Sequence, residues 1–184
     1  MKKLLILMMA LIMTLSLAAC GGEDSAAPAQ SSSSGAEFVS MTFGDITMSV
    51  PNNFSTVTEN QGIYVSAGPD ASITVTPSME IDLLPSEWDE SLAEESLELL
   101  YGSTYTDMEL AAFEGNVNMN GNTAVYLGFY GTNADGKERM VQVVRIFNAD
   151  QTEQYQIVLM HSAEDEFFTP EVGGKIINSI TLVD

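Results

Sequence analysis

The 184-residue sequence has one cysteine, Cys20, and one histidine, His161. A single thiol cannot form a disulfide within the chain, and the two residues together are too few for a structural zinc site. No nucleophile-elbow pattern, phosphate-binding glycine loop or Ser-x-x-Lys pattern is present. We therefore predict a protein that is not an enzyme and needs no cofactor or metal.

His161 is the one residue that invites a catalytic interpretation. It stands in the segment HSAED, where Ser162 and Asp165 would be the other members of a triad. Ser162 fits better as the N-cap of a following helix, with Asp165 at the third helical position. We expect His161 to lie just past a strand, and a cell-envelope hydrolase is the alternative function.

Basic residues are also scarce. The chain has 6 Lys and Arg against 26 Asp and Glu, and its formal net charge is −20. Between Lys3 and Lys137 there is no basic residue at all. Binding to nucleic acid is excluded because phosphates must be neutralised by cations, and attachment to anionic lipid through a polybasic patch is excluded for the same reason.

The first residues have the order of an export signal. Lys2 and Lys3 precede an apolar run at 4–17 that is shorter than the roughly 20 residues of a membrane span. The segment LAAC then resembles the lipobox of bacterial lipoproteins. The matching positions are Leu17, Ala18, Ala19 and Cys20. This resemblance implies cleavage before Cys20 and lipidation of its thiol, whereas a free thiol at an ordinary cleavage site is the alternative.

The following stretch is rich in Ser, Gly and Ala and has almost no apolar bulk, so we expect a flexible tether. Three parts are predicted: a lipoprotein signal peptide at 1–19, the lipidated cysteine with its tether at 20–37, and a folded domain at 38–184. Gly21 and the serines resemble the tethers of Gram-positive lipoproteins. The predicted location is extracytoplasmic, with a lipid anchor in the cell membrane.

Alternation of apolar and polar residues dominates the domain and predicts about six to eight strands. The clearest predicted strands are 46–50, 63–67, 73–75, 116–119, 123–132, 138–147 and 153–160, with a short one at 180–182. Asn120-Gly121 predicts a tight hairpin, since both positions favour positive φ. The strand at 123–132 is apolar on both faces and needs a covering layer on each side. The predicted class is α+β, a mostly antiparallel sheet flanked by helices.

Two helices are predicted, at 87–101 and at about 165–178. In the first, an apolar arc faces the core, and Gly102 ends the helix. The arc consists of Trp88, Leu92, Ala93, Leu99 and Leu100. The other side carries glutamates, and we predict a partner-docking face made of Glu87, Glu90, Glu94 and Glu98. Simple solvation of a tethered protein is the alternative.

Several segments in this order are similar to the PsbP-like (Mog/PsbP) fold of bacterial lipoproteins. They are SVPNNF, YVSAGPDASITV, the Asn-Gly hairpin before TAVYLGFY, and IINSITL. The resemblance implies an α/β/α sandwich around an antiparallel sheet. Relatives with this fold are accessory proteins, among them an extrinsic photosystem subunit and a Ran-binding import factor, and they supply no catalytic motif for this chain.

The predicted function is therefore that of a membrane-anchored extracytoplasmic lipoprotein acting as a non-catalytic binding or accessory module. Its partners would be the membrane, through Cys20, and an unknown envelope protein. A further alternative is a weak divalent-cation or small-ligand binding protein. A small-ligand groove could be lined by Tyr126 and Tyr130, which share one strand face.

Overall fold

The computed structural model describes residues 37–54, 57–67, 70–163 and 169–183. Residues 36–184 form one compact unit. The predicted signal peptide, Cys20 and the tether up to residue 36 lie outside the described residues. Within the described part, none of the helices has both the length and the apolar character needed to cross a membrane.

The described residues form eleven strands, two α-helices and one 3₁₀ turn. The helices are α1 (Glu90–Tyr101) and α2 (Pro170–Asn178), and the 3₁₀ turn is Pro85–Glu87. The strands are β1 (Phe38–Phe43), β2 (Ile46–Pro51), β3 (Val57–Asn60), β4 (Ile63–Ala67), β5 (Ala71–Val75), β6 (Met79–Glu80), β7 (Thr106–Met119), β8 (Asn122–Thr132), β9 (Glu138–Phe147), β10 (Glu153–Ser162) and β11 (Thr181–Leu182).

These strands form two sheets, and all their pairings are antiparallel. The large sheet has the order β3-β4-β5-β10-β9-β8-β7, and β6 also pairs with β10. The small sheet has the order β1-β2-β11. The predicted antiparallel α+β class is confirmed. Three strands were not predicted: β1, the largely polar edge strand β3, and β6, whose two residues are exposed, and neither β3 nor β6 shows alternation.

The large sheet has a hydrophobic core on each face, as the apolar composition of β8 predicts. Val125, Leu127 and Phe129 belong to one core, which also contains Trp88 and Leu97 from the layer of the 3₁₀ turn and α1. The other core contains further β8 side chains together with residues of the small sheet and α2. Its members include Ala124, Tyr126, Ile46, Met48, Ile176 and Ile180. Helices therefore cover both faces of the sheet, and the small sheet adds to one of the two covering layers.

The β7–β8 hairpin turns at Asn120-Gly121, where φ is 51° and 91°. The Asn120 side-chain amide donates hydrogen bonds to the carbonyl oxygens of Asn178 and Ile180, each at 2.8 Å. The predicted tight hairpin is confirmed. The same asparagine also joins the turn to the end of α2.

The first helix differs from its prediction in where it begins. It starts at Glu90, because the carboxylate of Asp89 caps it by accepting a hydrogen bond from the Leu92 N–H at 2.8 Å. Glu87 instead belongs to the 3₁₀ turn, and Trp88 lies between the turn and the helix.

The buried face of α1 also differs from its prediction. Ala93 and Leu97 are buried, whereas Leu99 is 84% exposed and Leu100 is 47% exposed. The aromatic ring of Tyr101 packs against Phe129 with a centroid distance of 5.0 Å. The helix is oriented so that Ala93, Leu97 and the Tyr101 ring face the sheet. The prediction that Leu99 and Leu100 face the core is therefore wrong.

The second helix also begins later than predicted. Pro170 is its first residue, and the Thr169 hydroxyl caps it by accepting from the Val172 N–H at 3.4 Å. The prediction of Ser162 as the N-cap is wrong, because β10 continues through Ser162, which pairs with Arg139 of β9. Asp165 lies outside the described residues.

Candidate interaction surface

The predicted site residues are divided between the described and undescribed parts of the chain. Leu17, Ala18, Ala19 and Cys20 lie outside the described residues, so lipidation remains a prediction. Four glutamates of the predicted docking face are described and exposed: Glu87, Glu90, Glu94 and Glu98. The structure brings all four to the layer formed by the 3₁₀ turn and α1.

Three of these glutamates follow one another at four-residue spacing along α1. Glu90, Glu94 and Glu98 therefore share one side of the helix, and the exposed Glu95 adds a fourth carboxylate. Within the described residues an ion pair joins Lys175 to Glu171 on α2 at 3.2 Å, and none involves these four glutamates. We call this set (Glu90, Glu94, Glu95 and Glu98) the acidic face.

Glu87 has a structural role that its exposure alone does not reveal. Its carboxylate accepts a hydrogen bond from the Leu84 N–H at 2.7 Å and so caps the 3₁₀ turn. Glu87 also lines an open groove of about 370 Å³ beside the turn. The other lining residues are Glu80, Ile81, Asp82, Leu84, Gln151 and Thr152.

Sequence reasoning missed Glu80 and Asp82 as neighbours of Glu87. The two-residue strand β6 brings them there by pairing with the start of β10, where Glu80 is opposite Glu153. The Gln154 side-chain amide adds a hydrogen bond to the Glu80 carbonyl at 3.4 Å. A two-residue strand has no periodicity, so no signal in the sequence could have located this pairing.

Aromatic and cationic side chains hold the layer formed by the 3₁₀ turn and α1 to the large sheet. The guanidinium of Arg145 on β9 lies over the Trp88 ring, 4.6 Å from its centroid. Burial lowers the pKa of Arg145, and the nearby Tyr101 and Asp82 act in the opposite direction. Tyr105 contributes an edge-to-face contact with Phe129 at 5.8 Å.

The hydroxyl groups of the two tyrosines have different environments. The Tyr105 hydroxyl donates to the sulfur of Met160 at 2.8 Å. The Tyr101 hydroxyl is buried without a hydrogen-bond partner in the structure, and burial raises the pKa of Tyr101 to about 12. The layer formed by the 3₁₀ turn and α1 therefore packs on a cluster of aromatic side chains, Tyr101, Tyr105 and Phe129.

The structure places His161 inside β10, one residue before the end of the strand. The residue is 8% exposed, and its ring Nδ1 lies 2.8 Å from the Ser162 carbonyl oxygen, within hydrogen-bonding distance. Its neighbours on the adjacent strands are Met140 and Ala71. His161 is therefore a buried strand residue, not a residue just past the strand.

Tyr126, predicted as one wall of an alternative ligand groove, is packed into the core under the small sheet. Burial raises the pKa of Tyr126, and Glu114 and Tyr130 raise it further. Within the described ranges, no group of three or more His, Cys, Asp and Glu residues could hold a metal ion.

The structure is similar to several solved structures. Cyanobacterial PsbP (CyanoP) from Synechocystis sp. PCC 6803 is 13% identical, with a TM-score of 0.59 over 90% of this chain and 98% of that chain. The Ran-binding protein Mog1p from Saccharomyces cerevisiae is 17% identical, with a TM-score of 0.51 over 80% of this chain and 95% of that chain. The fold is PsbP/Mog-like.

At these identities the similarity establishes the fold alone, and it confirms the resemblance to the PsbP-like fold seen in the sequence. No family model matches the chain, and no curated protein matches it. Function must therefore be argued from the surface itself.

Proposed function

We propose that the protein is an extracytoplasmic lipoprotein, anchored in the cell membrane through Cys20, whose domain binds a protein of the cell envelope without catalysing a reaction. The observation that carries this proposal is the acidic face of α1. Four exposed carboxylates stand on a twelve-residue helix that contains no basic residue.

Such a helix is unfavourable by itself. Like charges four residues apart, as in Glu90–Glu94 and Glu94–Glu98, destabilise a helix by roughly 0.2–0.5 kcal/mol per pair. A partner with a basic surface would remove this repulsion and would be attracted over a distance of about 8 Å at physiological salt. The acidic face thus favours a basic protein surface as its partner.

The fold supports the same function by analogy. Mog1p, whose fold this chain shares, is a Ran-binding protein and so binds another protein. We do not propose Ran as the partner of this chain, because the predicted signal and lipobox place the domain in the cell envelope. The analogy supports protein binding as the type of activity.

The predicted anchor limits where the partner lies. A tether of about 16 residues reaches about 50 Å when fully extended and roughly 20–24 Å on average. A partner must therefore present its basic surface within this distance of the membrane. Both integral membrane proteins and membrane-bound proteins of the envelope satisfy this condition.

Site-specific photocrosslinking in intact cells tests the proposal. The photoreactive amino acid p-benzoylphenylalanine replaces Glu94 in the full-length chain, and in a control it replaces Lys137 in the exposed β8–β9 turn. We expect one defined protein adduct from position 94 and a different pattern or none from position 137. The same adducts at both positions, or no protein adduct at position 94, would contradict the proposal.

A further inference from the structure

Leu99 is the most exposed large apolar side chain of the described residues. It is 84% exposed, whereas the other exposed large apolar residues range from 39% to 51%. Scattered apolar residues are normal on protein surfaces, but a nearly fully exposed leucine that follows the exposed Glu95 by one helical turn is unusual. Leu100 beside it is also exposed, so the two form an apolar spot next to the acidic face.

The rotation of α1 keeps Leu99 away from the protein core. Leu97 is buried against the sheet, and each helical residue turns the chain by about 100°. Leu99, two residues later, therefore lies on nearly the opposite side of the helix. Glu95 precedes it by one turn, so its neighbour on the outward side is a carboxylate.

We propose that Leu99, with Leu100, is the apolar anchor of the docking surface, and that it inserts into an apolar pocket with a basic rim on a partner protein. This inference rests on the proposed function and adds the chemistry of the partner. Interfaces commonly obtain most of their affinity from a few desolvated side chains surrounded by polar contacts. In this surface, Leu99 would supply the desolvated contact, and Glu95 and Glu98 would supply the charge beside it.

Charge selects this occupant over two others. A second copy of the chain would present the same carboxylates, and like charges across an interface oppose association. An anionic lipid surface would be repelled for the same reason. A basic rim complements the carboxylates, and its apolar pocket accommodates the leucine.

The two components respond differently to salt. Attraction between exposed charges is screened within about 3 Å at 1 M salt, whereas burial of an apolar side chain is not weakened by this screening. Association should therefore slow with salt while part of the affinity persists. Full burial of a leucine corresponds to a gain in affinity of roughly tenfold or more.

The test uses the full-length lipidated chain in intact cells, with p-benzoylphenylalanine at Glu95. Adduct yields are compared for the wild-type background, for Leu99→Gln and for Ile63→Thr. Glutamine has nearly the helix propensity of leucine, so Leu99→Gln should leave α1 formed. Ile63 is 40% exposed on β4 and serves as the matched control.

We expect Leu99→Gln to lower the adduct yield about tenfold and Ile63→Thr to leave it unchanged. The crosslinked peptide, mapped by mass spectrometry, should contain Lys or Arg beside apolar residues. Circular dichroism of both variants should match that of the wild type. These results together would support Leu99 as the anchor.

Other outcomes would overturn the inference. If Leu99→Gln leaves the yield unchanged while reversal of Glu90, Glu94 and Glu98 to Lys abolishes it, docking is electrostatic only, and the proposed function survives. An adduct with a second copy of the chain or with lipid contradicts the basic protein partner. Absence of any protein adduct from positions 94 and 95 in the wild-type background contradicts the proposed function itself.

Discussion

The guanidinium of Arg145 lies over the indole ring of Trp88, 4.6 Å from its centroid, and joins β9 to the segment between the 3₁₀ turn and α1. Trp88 is 7% exposed, so the contact is largely shielded from water. It fastens the layer that carries the acidic face. Because Trp88 is the only tryptophan, its fluorescence reports on this layer alone.

Replacing Arg145 with Lys should weaken this attachment. An ammonium group keeps the charge but cannot stack its plane on the indole ring, and we expect a loss of about 1 kcal/mol in the free energy of unfolding. Urea denaturation followed by Trp88 fluorescence measures this loss. Lys175→Ala, at an exposed ion pair, should cost less than about 1 kcal/mol and give an unchanged Trp88 spectrum. An unchanged spectrum and stability for Arg145→Lys would show that the stacking contributes nothing.

Tyr101→Phe should alter the alkaline stability of the domain. Burial raises the pKa of Tyr101 from 10.0 to about 12, so the unfolded chain loses this proton at lower pH than the folded protein. Titration of Tyr101 therefore leaves the free energy of unfolding unchanged below about pH 10. As pH rises from 10 towards 12, it lowers this free energy by up to about 2–3 kcal/mol. Because Tyr101→Phe has no hydroxyl to titrate at this position, its free energy of unfolding should fall less steeply above pH 10 than that of the wild type.

At pH 7 the same variant should be as stable as the wild type or slightly more stable, because the buried Tyr101 hydroxyl has no hydrogen-bond partner in the structure. Tyr105→Phe is the matched control, and it removes the hydrogen bond to Met160. It should cost about 0.5–1.5 kcal/mol. Urea titrations at pH 7, 10 and 11 give both comparisons. A Tyr101→Phe variant that loses more stability than Tyr105→Phe at pH 7 would contradict this account.

His161→Ala should lower the free energy of unfolding but should not abolish a catalytic activity. Because His161 is buried, we expect the free energy of unfolding to fall by about 1–3 kcal/mol, more than for substitution of an exposed residue. Cellular function should fall only in proportion to the amount of folded protein. A variant as stable and abundant as the wild type but with the phenotype of a gene deletion would favour the hydrolase alternative.

Cys20→Ser should abolish lipidation and cleavage by signal peptidase II, because the acyl acceptor is missing. Metabolic labelling with a fatty-acid analogue, followed by gel analysis, measures the lipid. The mutant should carry no label and should migrate as the uncleaved precursor. Equal label on the wild type and the mutant would disprove the lipoprotein prediction.

Reversal of Glu90, Glu94 and Glu98 to Lys should slow association with the crosslinked partner by about tenfold or more at physiological salt, with a smaller effect at 1 M salt. Surface plasmon resonance measures the association rate. Reversal of Glu109, Asp135 and Glu138 to Lys makes the same change in net charge at other exposed positions and is the matched control. Equal effects of the two triple variants would indicate that only net charge matters.

Local pattern was sufficient to predict much of the sheet. The apolar residues on both faces of β8 predicted its two covering layers, and Asn120-Gly121 predicted the hairpin before it. Such features depend on neighbours in the sequence, since side chains alternate between the faces of a strand and turn types require particular φ values. The exposure of Glu90, Glu94 and Glu98 was predictable for the same reason.

Residue patterns along the chain are enough to predict a mostly antiparallel α+β domain with a charged helix after a signal-like segment. Which leucines of α1 are buried depends on how the helix packs on the sheet. Leu92, Leu99 and Leu100 form a reasonable apolar arc in isolation, but Leu97 and Tyr101 contact the sheet instead, so that Leu92 stays half-buried against the core while Leu99 and Leu100 are exposed. The groove beside Glu87 likewise depends on the pairing of β6 with β10. Helix rotation and short-strand pairing are decided by packing between distant segments, because the periodicity of one segment leaves several arrangements close in free energy.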